Sequence, residues 1–450
     1  MKWLFALAVG LAFLLGVSTA SAQWVSAADA PGTFASARAV TDANGDIHVL
    51  GLNAGLDTHW VYKPSTDEWT SAADIPVSLN PNTPFVAATL DGTRIYFGAG
   101  INGQRLFIYD VTSSSWEEGP TLPIISSNAG AAAVGLDGRL YVTRYTTFFI
   151  YDPNTNKWTE GPSMPVSRRY HAMVCGSDGR IYAIGGYNGA GYPLDSVSVY
   201  DPQTNTWASA ASIPRAAGEI AAVASPDRTK IAVLGGASDI DVWSATFYDS
   251  VYVYDVVTGT WTEAADHKLT AARGGLAAAF VDCKVFAIGG YTGSGSLGKS
   301  ESNSTLLPCL SSTTTLTATP IPSVYSQTIT LTATVTSSNP GATPAGTVFF
   351  KDENGTTIGT VPVGAAGQAT LTLSTLDVGT HTLTALYQGQ GNHGSSKSNT
   401  VTVNVQQAST TTTLTSSVNP SLVDAPVKLT ATVTALAPSS ATPAGTVTFF

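Results

Sequence analysis

The sequence has little charge, few cysteines and histidines, and a single long apolar run. Only 12% of its 450 residues are charged, and the net charge is −10. A nucleic-acid partner would require a basic surface to replace phosphate counterions, so this balance excludes that class of partner. Long helical periodicity is also missing, which predicts an all-β protein.

The one apolar run lies at the N-terminus. Lys2 precedes apolar residues 4–17, and Ala20-Ser21-Ala22 is a small-residue cleavage pattern. The run is shorter than the ~20 residues that span a bilayer, so residues 1–22 are predicted to be a secretory signal peptide. We therefore expect a secreted or cell-surface protein, with no membrane insertion after cleavage.

In place of charge and helical periodicity, the sequence has a repeat. Five tryptophans follow a tyrosine by seven residues, and strand-like runs end in Gly-Gly at 185–186, 235–236 and 289–290. Asp-Gly, Pro-Asn and Thr-Gly turns separate short β-rich segments, so each unit predicts about four strands. Such sheets bury both faces when they pack radially as blades. The six tryptophans of the repeat are Trp24, Trp69, Trp116, Trp158, Trp207 and Trp261.

These landmarks resemble the kelch repeat, and the resemblance implies a six-bladed β-propeller over residues 23–310. Trp24 precedes the first unit, whereas the last unit has no tryptophan after Gly289-Gly290. Residues 24–31 are therefore predicted to complete the last blade. The first three units depart from the Gly-Gly pattern.

Only three cysteines are present, so at least one has no partner within the chain. Export permits a disulfide. In the propeller topology Cys283 and Cys309 fall on the same face, which predicts a disulfide between them. Cys175 is then expected to be a buried free thiol.

From residue 311 the chain is rich in Thr and Ser and alternates with period two. Residues 313–317 recur as 411–415, and residues 343–348 recur as 442–447, a period that suits a β-sandwich. Together with residues 379–387, these segments resemble bacterial Ig-like repeats. We expect one Ig-like domain over 311–406 and the start of a second, incomplete one over 407–450. A disordered Thr-rich stalk is the alternative.

No phosphate-binding loop, His-x-x-x-His pattern or nucleophile elbow is present, so we predict no cofactor and no metal site. Two enzyme groups with kelch propellers are relevant to this interpretation. Galactose-oxidase-like enzymes hold copper with tyrosines and histidines, one tyrosine being bonded to a cysteine, and this sequence has no matching group. Bacterial sialic-acid epimerases use Glu and Arg near the axis.

Aligning the units on their second strands places one residue of each blade just before the innermost strand. We expect the polar members of this set to meet at the axial mouth, where Arg would bind a carboxylate. A structural ion pair between Glu219 and Arg273 is the alternative. Among nearby loop aromatics, Tyr187 and Trp243 would stack on sugar rings. The aligned residues are Ala35, Thr83, Asn128, Arg169, Glu219 and Arg273.

Two functions follow from this pattern, and a propeller that is only a structural module of a longer surface protein is a third possibility. The first is recognition of an extracellular glycan or protein at the axial face, with the Ig-like region as a spacer. The second is a carbohydrate-active enzyme, such as a sialic-acid epimerase, that would use Glu219 with Arg169 and Arg273. The sequence carries no feature that sets an oligomeric state.

Overall fold

The structure is a computed structural model, and its described part is all-β. The described part contains one 3-10 turn, at Ala265–His267, and no α-helix. Nothing within this part is a helix of the length and apolarity that crossing a membrane requires. The predicted signal peptide, Ala35, Thr83 and Asn128 lie outside the described residues. These are residues 24–33, 38–50, 58–76, 85–90, 92–99, 105–123, 130–241, 243–307, 309–339, 341–387, 389 and 393–450.

Six four-stranded antiparallel sheets form the propeller, and within each sheet the strands are paired from the axis outward. The strands of blade one are Arg38–Thr41, Ile47–Leu50, His59–Lys63 and Glu68–Ser71. Those of blade two are Phe85–Ala88, Arg94–Ala99, Arg105–Asp110 and Ser115–Glu118. Those of blade three are Ala131–Val134, Leu140–Arg144, Thr147–Asp152 and Lys157–Glu160.

The second half of the propeller repeats this arrangement. The strands of blade four are Ala172–Cys175, Ile181–Ile184, Val197–Asp201 and Thr206–Ala210. Those of blade five are Ala221–Ala224, Lys230–Leu234, Val251–Asp255 and Thr260–Glu263. Those of blade six are Ala277–Val281, Lys284–Ile288, Ser300–Asn303 and, outermost, the N-terminal strand Val25–Ala27. A small hairpin joins Tyr291–Thr292 to Gly295–Ser296.

The recurring Tyr and Trp hold neighbouring blades together. In blades one to five the tyrosine of the third strand lies opposite the tryptophan of the fourth, as Tyr151 does opposite Trp158 with ring centroids 5.2 Å apart. Each indole N–H then donates to a carbonyl of the preceding blade, as Trp158 does to Pro120 at 3.0 Å and Trp207 to Pro162 at 2.9 Å. The aromatic pair therefore fills the outer part of each blade interface, and the indole donor is satisfied by the neighbouring blade.

The N-terminal strand closes the ring. Val25 pairs with Ser302, and the indole of Trp24 donates to the carbonyl of His267 at 2.8 Å. This bond is the blade-six equivalent of the indole bonds of the other blades. It is the closure that the position of Trp24 predicts.

The six innermost strands surround the axis, each contacting the innermost strand of the next blade. An apolar core lies between every two adjacent blades; Ile184 and Ile231, for example, contribute to the core between blades four and five. Alanine dominates the innermost strands, so the ring leaves a channel along the axis.

The Ig-like region packs two sheets around the core residues Leu331, Phe350 and Tyr387. The first sheet contains Ser312–Thr319, Ile329–Ser337 and Gln368–Leu373. The second contains Ser323–Val324, Val401–Gln406, Gly379–Tyr387, Thr347–Lys351 and Thr357–Pro362, with Ser396–Lys397 beside Gly379–Tyr387. A further pair, Thr410–Ser416 and Leu429–Ala435, follows. Cys283 and Cys309 form a disulfide with a Cα–Cα distance of 5.4 Å, and Cys175 is a buried free thiol.

Candidate binding site at the propeller mouth

One end of the axial channel is framed by the segments that lead into the innermost strands of blades four to six. In blade four, Arg169 and Tyr187 exchange backbone hydrogen bonds of 2.9 and 2.8 Å. Gly218 makes the same exchange with Ala237 in blade five. These bonds hold each entry segment against the loop between the second and third strands of its blade. We call this end of the channel the mouth.

A backbone collar surrounds part of the mouth. The collar residues are Tyr170, Glu219 and Gly275, which occupy equivalent positions in blades four to six with φ values of 53°, 55° and 60°. The Glu219 N–H donates to the Tyr170 carbonyl at 2.9 Å, and the Gly275 N–H donates to the Glu219 carbonyl at 2.8 Å. A left-handed conformation costs a non-glycine residue about 1–2 kcal/mol. Blade six avoids this strain with glycine, whereas blades four and five keep side chains there.

Glu219 is the most unusual side chain of the collar. Only 9% of the residue is exposed, and its Oε2 has no hydrogen-bond partner among the described residues. Burial raises the pKa of the Glu219 carboxyl to about 8, and the charge of Arg38 opposes this rise. At neutral pH the group is therefore mainly a carboxylic acid, which can donate a hydrogen bond or a proton.

Arg38 supplies the positive charge near Glu219. It is the first residue of the innermost strand of blade one, and it lines the channel. The same register position holds Phe85 in blade two and Ala172 in blade four. A charged residue at a position that is otherwise apolar is the signal that an alignment on the innermost strands would have found. The alignment on the second strands missed it.

The expectation that Arg273 faces the mouth is wrong. Its side chain is fully buried inside blade six, where Nη2 donates to Glu301 Oε1 at 2.7 Å. Arg168 is its equivalent in blade four, also fully buried, and donates to the carbonyls of Gly185 and Ser196. The predicted ion pair between Glu219 and Arg273 is likewise not formed, because Arg273 pairs with Glu301.

Tyr187 also requires correction. The residue is fully buried, and its hydroxyl donates to the carbonyl of Asp239 at 2.7 Å. It therefore joins the loops of blades four and five instead of contacting a ligand. Arg169, in the entry segment of blade four, is partly exposed, and its contact with a ligand stays a prediction.

The rim of the mouth carries exposed aromatic side chains. Trp243 in the blade-five loop is 89% exposed, and Tyr192 in the blade-four loop is 70% exposed. The two loops approach each other, since a side-chain carbon added at Gly191 would lie 3.2 Å from Ile240. Large exposed aromatics beside a polar collar are suited to binding, because buried packing does not account for them.

Comparison with known proteins agrees with this architecture. The KLHDC2/KLHL20/DRC7 Kelch-repeats domain matches residues 142–290, and the bacterial Ig-like domain of group 3 matches residues 316–406. No curated protein matches the chain at a significant level.

Two solved structures share the fold. One, titled "Structure of YjhT", has 17% identity and a TM-score of 0.51, and the match covers 60% of this chain and 95% of that one. The other is a fungal alcohol oxidase of the AA5 family in complex with copper, with 16% identity and a TM-score of 0.51; the match covers 85% of this chain and all of that one. At these identities the similarity concerns the fold alone. The chain is thus a kelch-repeat β-propeller followed by a bacterial Ig-like domain.

Proposed function

We propose that the propeller is an extracellular recognition module of a bacterial protein and that it binds a glycan at its mouth. A kelch propeller and an Ig-like domain are both suited to binding. The Cys283–Cys309 disulfide supports an oxidising location, because such bonds are rare in the reducing cytosol.

The observation that carries the proposal is the state of Glu219. Its carboxyl is buried and one of its oxygens has no partner among the described residues. Its backbone is also held in a conformation that blade six assigns to glycine. Both features reduce stability, and such destabilising features concentrate at functional sites. A polar ligand that hydrogen-bonds to Glu219 would remove the desolvation penalty.

Aromatic residues at the rim favour a sugar over other polar ligands. The rings of Trp243 and Tyr192 offer flat apolar surfaces, which stack on the apolar faces of sugar rings. Asp239 and Asp241 lie on the same loop as Trp243 and supply acceptors for hydroxyl groups. Arg38 and Arg169 favour a glycan that carries a carboxylate, which accepts hydrogen bonds from both nitrogens of the guanidinium fork.

A glycan array followed by calorimetry tests this function. We expect Trp243→Ala to weaken binding of the strongest array hit by about tenfold or more, the typical effect of losing an aromatic anchor. Tyr325→Ala, which removes a 38% exposed aromatic from the Ig-like domain, is the matched control and should bind as the parent does. Binding to a protein array and to no glycan would replace the glycan with a protein ligand.

A second candidate function is favoured by the raised pKa of Glu219, about 8. A carboxylic acid that ionises near neutral pH can act as a general acid and base. Beside Arg38 and Arg169, it could catalyse interconversion of acidic-sugar anomers or epimers. Proton NMR of freshly dissolved sialic acid tests this, since the enzyme would accelerate mutarotation and Glu219→Gln would abolish the acceleration. Binding with no acceleration leaves the recognition function alone.

A further inference from the structure

The end of the channel opposite the mouth faces the Ig-like domain. One continuous cavity of about 870 Å³ runs between the innermost strands and reaches the Ig-like residues. Its volume lies within the range of ~300–1,000 Å³ that is typical of ligand pockets. At this end its lining includes propeller turn residues Asn44 and Pro226 and Ig-like residues Phe349 and Leu386.

A covalent and hydrogen-bonded seam holds the Ig-like domain at this end. The disulfide joins Cys283, in the turn after the innermost strand of blade six, to Cys309 in the connection between the domains. Beside it, Ser395 Oγ donates to Asp282 Oδ1 at 3.0 Å. A side-chain carbon added at Gly394 would lie 2.5 Å from the Cys283 sulfur, so only glycine permits this close approach.

We propose that the Ig-like domain is the floor of the binding well, so that the well admits the end of a glycan chain and excludes an internal stretch. This inference rests on the proposed glycan-binding function. An open channel would let a polymer pass along the axis, whereas a closed well receives a chain only from the mouth. The innermost strands have four or five residues. At ~3.3 Å per residue they give a wall of about 13–17 Å, the depth of a few sugar rings.

The well also explains the composition of its wall. The innermost strands of blades three and five read AAAV and AAVA, and their edges face the axis. Small side chains leave room for a ligand, and the unpaired backbone edges offer donors and acceptors around it. The polar collar at the mouth and the Ig-like floor then set the two ends of the site.

Thiol labelling of the full chain tests the floor without any ligand. In a Cys175→Ser background, which removes the native free thiol, Ala224→Cys places a thiol at the floor end of the innermost strand of blade five. Ala224 is partly exposed there and lines the cavity. Ser71→Cys, on the exposed outermost strand of blade one, is the accessible reference. Should Ala224→Cys fail to fold by circular dichroism, Pro226→Cys in the following turn replaces it.

We expect a small methanethiosulfonate to modify both thiols, since it enters through the mouth. A maleimide carrying a 5-kDa polyethylene glycol should react at least about tenfold more slowly at position 224 than at position 71, because it must wait for the floor to open. The combined substitutions Cys283→Ser, Cys309→Ser and Asp282→Ala should remove most of that difference. Equal rates for the bulky reagent in the intact chain, or no effect of breaking the seam, would overturn the proposal.

The same glycan array separates this inference from the proposed function. Glycans that bind should share a terminal residue, and glycans with that residue only at internal positions should not bind. Equal binding to internal residues would overturn the closed well and leave glycan recognition intact. Absence of all glycan binding would sink the proposed function, while the labelling result would still decide whether the floor exists.

Discussion

Blades five and six use buried carboxyl groups in opposite ways. In blade six, Arg273 and Glu301 are both fully buried and bonded to each other at 2.7 Å. In blade five, Glu219 is buried with an oxygen that no described residue satisfies. A paired buried charge fixes the arrangement of its own blade, whereas a buried carboxylic acid with an unsatisfied oxygen reduces stability. The comparison teaches that a buried carboxyl group supports the fold only where the chain supplies its partner.

The largest expected effect comes from breaking the pair in blade six. Arg273→Met leaves the buried Glu301 carboxylate with only the Thr270 hydroxyl and the more distant Lys299 ammonium, so the free energy of unfolding should fall by about 3–5 kcal/mol. The double substitution Arg273→Met/Glu301→Leu removes both charges and should recover most of the loss. Urea denaturation at pH 7 measures both. A double variant as unstable as the single one would show that the pair is not the source of the effect.

A second buried ionisable group makes blade one sensitive to acid. His59 Nε2 lies 2.7 Å from His48 Nδ1, and His48 Nε2 lies 3.1 Å from Asp42 Oδ2. Burial, and then the charge of His48, lower the pKa of His59 to about 3. The unfolded chain therefore binds the extra proton between pH 6.5 and 3, and folding stability falls as the pH falls through that window.

The protonation of His59 should account for about 3 kcal/mol of stability lost between pH 7 and pH 4. The double substitution His48→Tyr/His59→Leu copies Tyr96 and Leu106, the residues at the equivalent positions of blade two. We expect it to flatten this part of the curve of unfolding free energy against pH. A variant that loses stability in acid as steeply as the parent would assign the acid sensitivity to other groups.

At Glu219 in the mouth we expect a smaller dependence of stability on pH, with the opposite sign. The pKa of Glu219 is raised to about 8 in the folded state, above its ordinary value of 4.5. Its contribution to stability is thus lost as the pH rises from 4.5 through 8. Glu219→Gln cannot ionise, so between pH 5 and pH 7 the variant should gain about 2.5 kcal/mol of stability relative to the parent. Thermal unfolding at the two pH values, with ligand binding measured in parallel, checks that stability rises while binding falls.

The smallest effect is expected at Arg168, the blade-four equivalent of Arg273. Arg168 is fully buried, but its guanidinium donates to the carbonyls of Gly185 and Ser196 and to the hydroxyl of Ser198. Arg168→Met leaves only neutral acceptors unsatisfied, so it should cost about 1–2 kcal/mol. A loss as large as that of Arg273→Met would remove the distinction between charged and neutral partners.

The propeller fold could be predicted from the sequence because the same residue pattern recurs in each blade. The Tyr and Trp of each unit make the same cross-strand contact and the same indole hydrogen bond, so one error in one unit does not change the blade count. The final strand could be assigned to the N-terminus because Trp24 has no unit of its own.

The residues at the mouth could be predicted only in part from the sequence, because the turn between the first and second strands differs in length between blades. Cys175 pairs with Ile181 across a five-residue turn in blade four, whereas Val281 pairs with Lys284 across two residues in blade six. Aligning on the second strands therefore moved Arg273 out of register with Glu219. The partner of Arg273, Glu301, lies on a different strand, and the sequence carries no local signal for their contact. Arg38 was missed for another reason: blade one has the same five-residue turn as blade four, and Arg38 lies within the innermost strand, whereas the aligned position lies three residues before it.

The strand that seals the ring is made first and paired last. Val25 is among the first residues of the propeller to be synthesised, but its strand partner Ser302 is among the last. Until then blade six has an open edge, and the five preceding sheets cannot form a circle. The ring can therefore close only after blade six has been made, so the propeller gains its closed form and its cooperative stability late in folding.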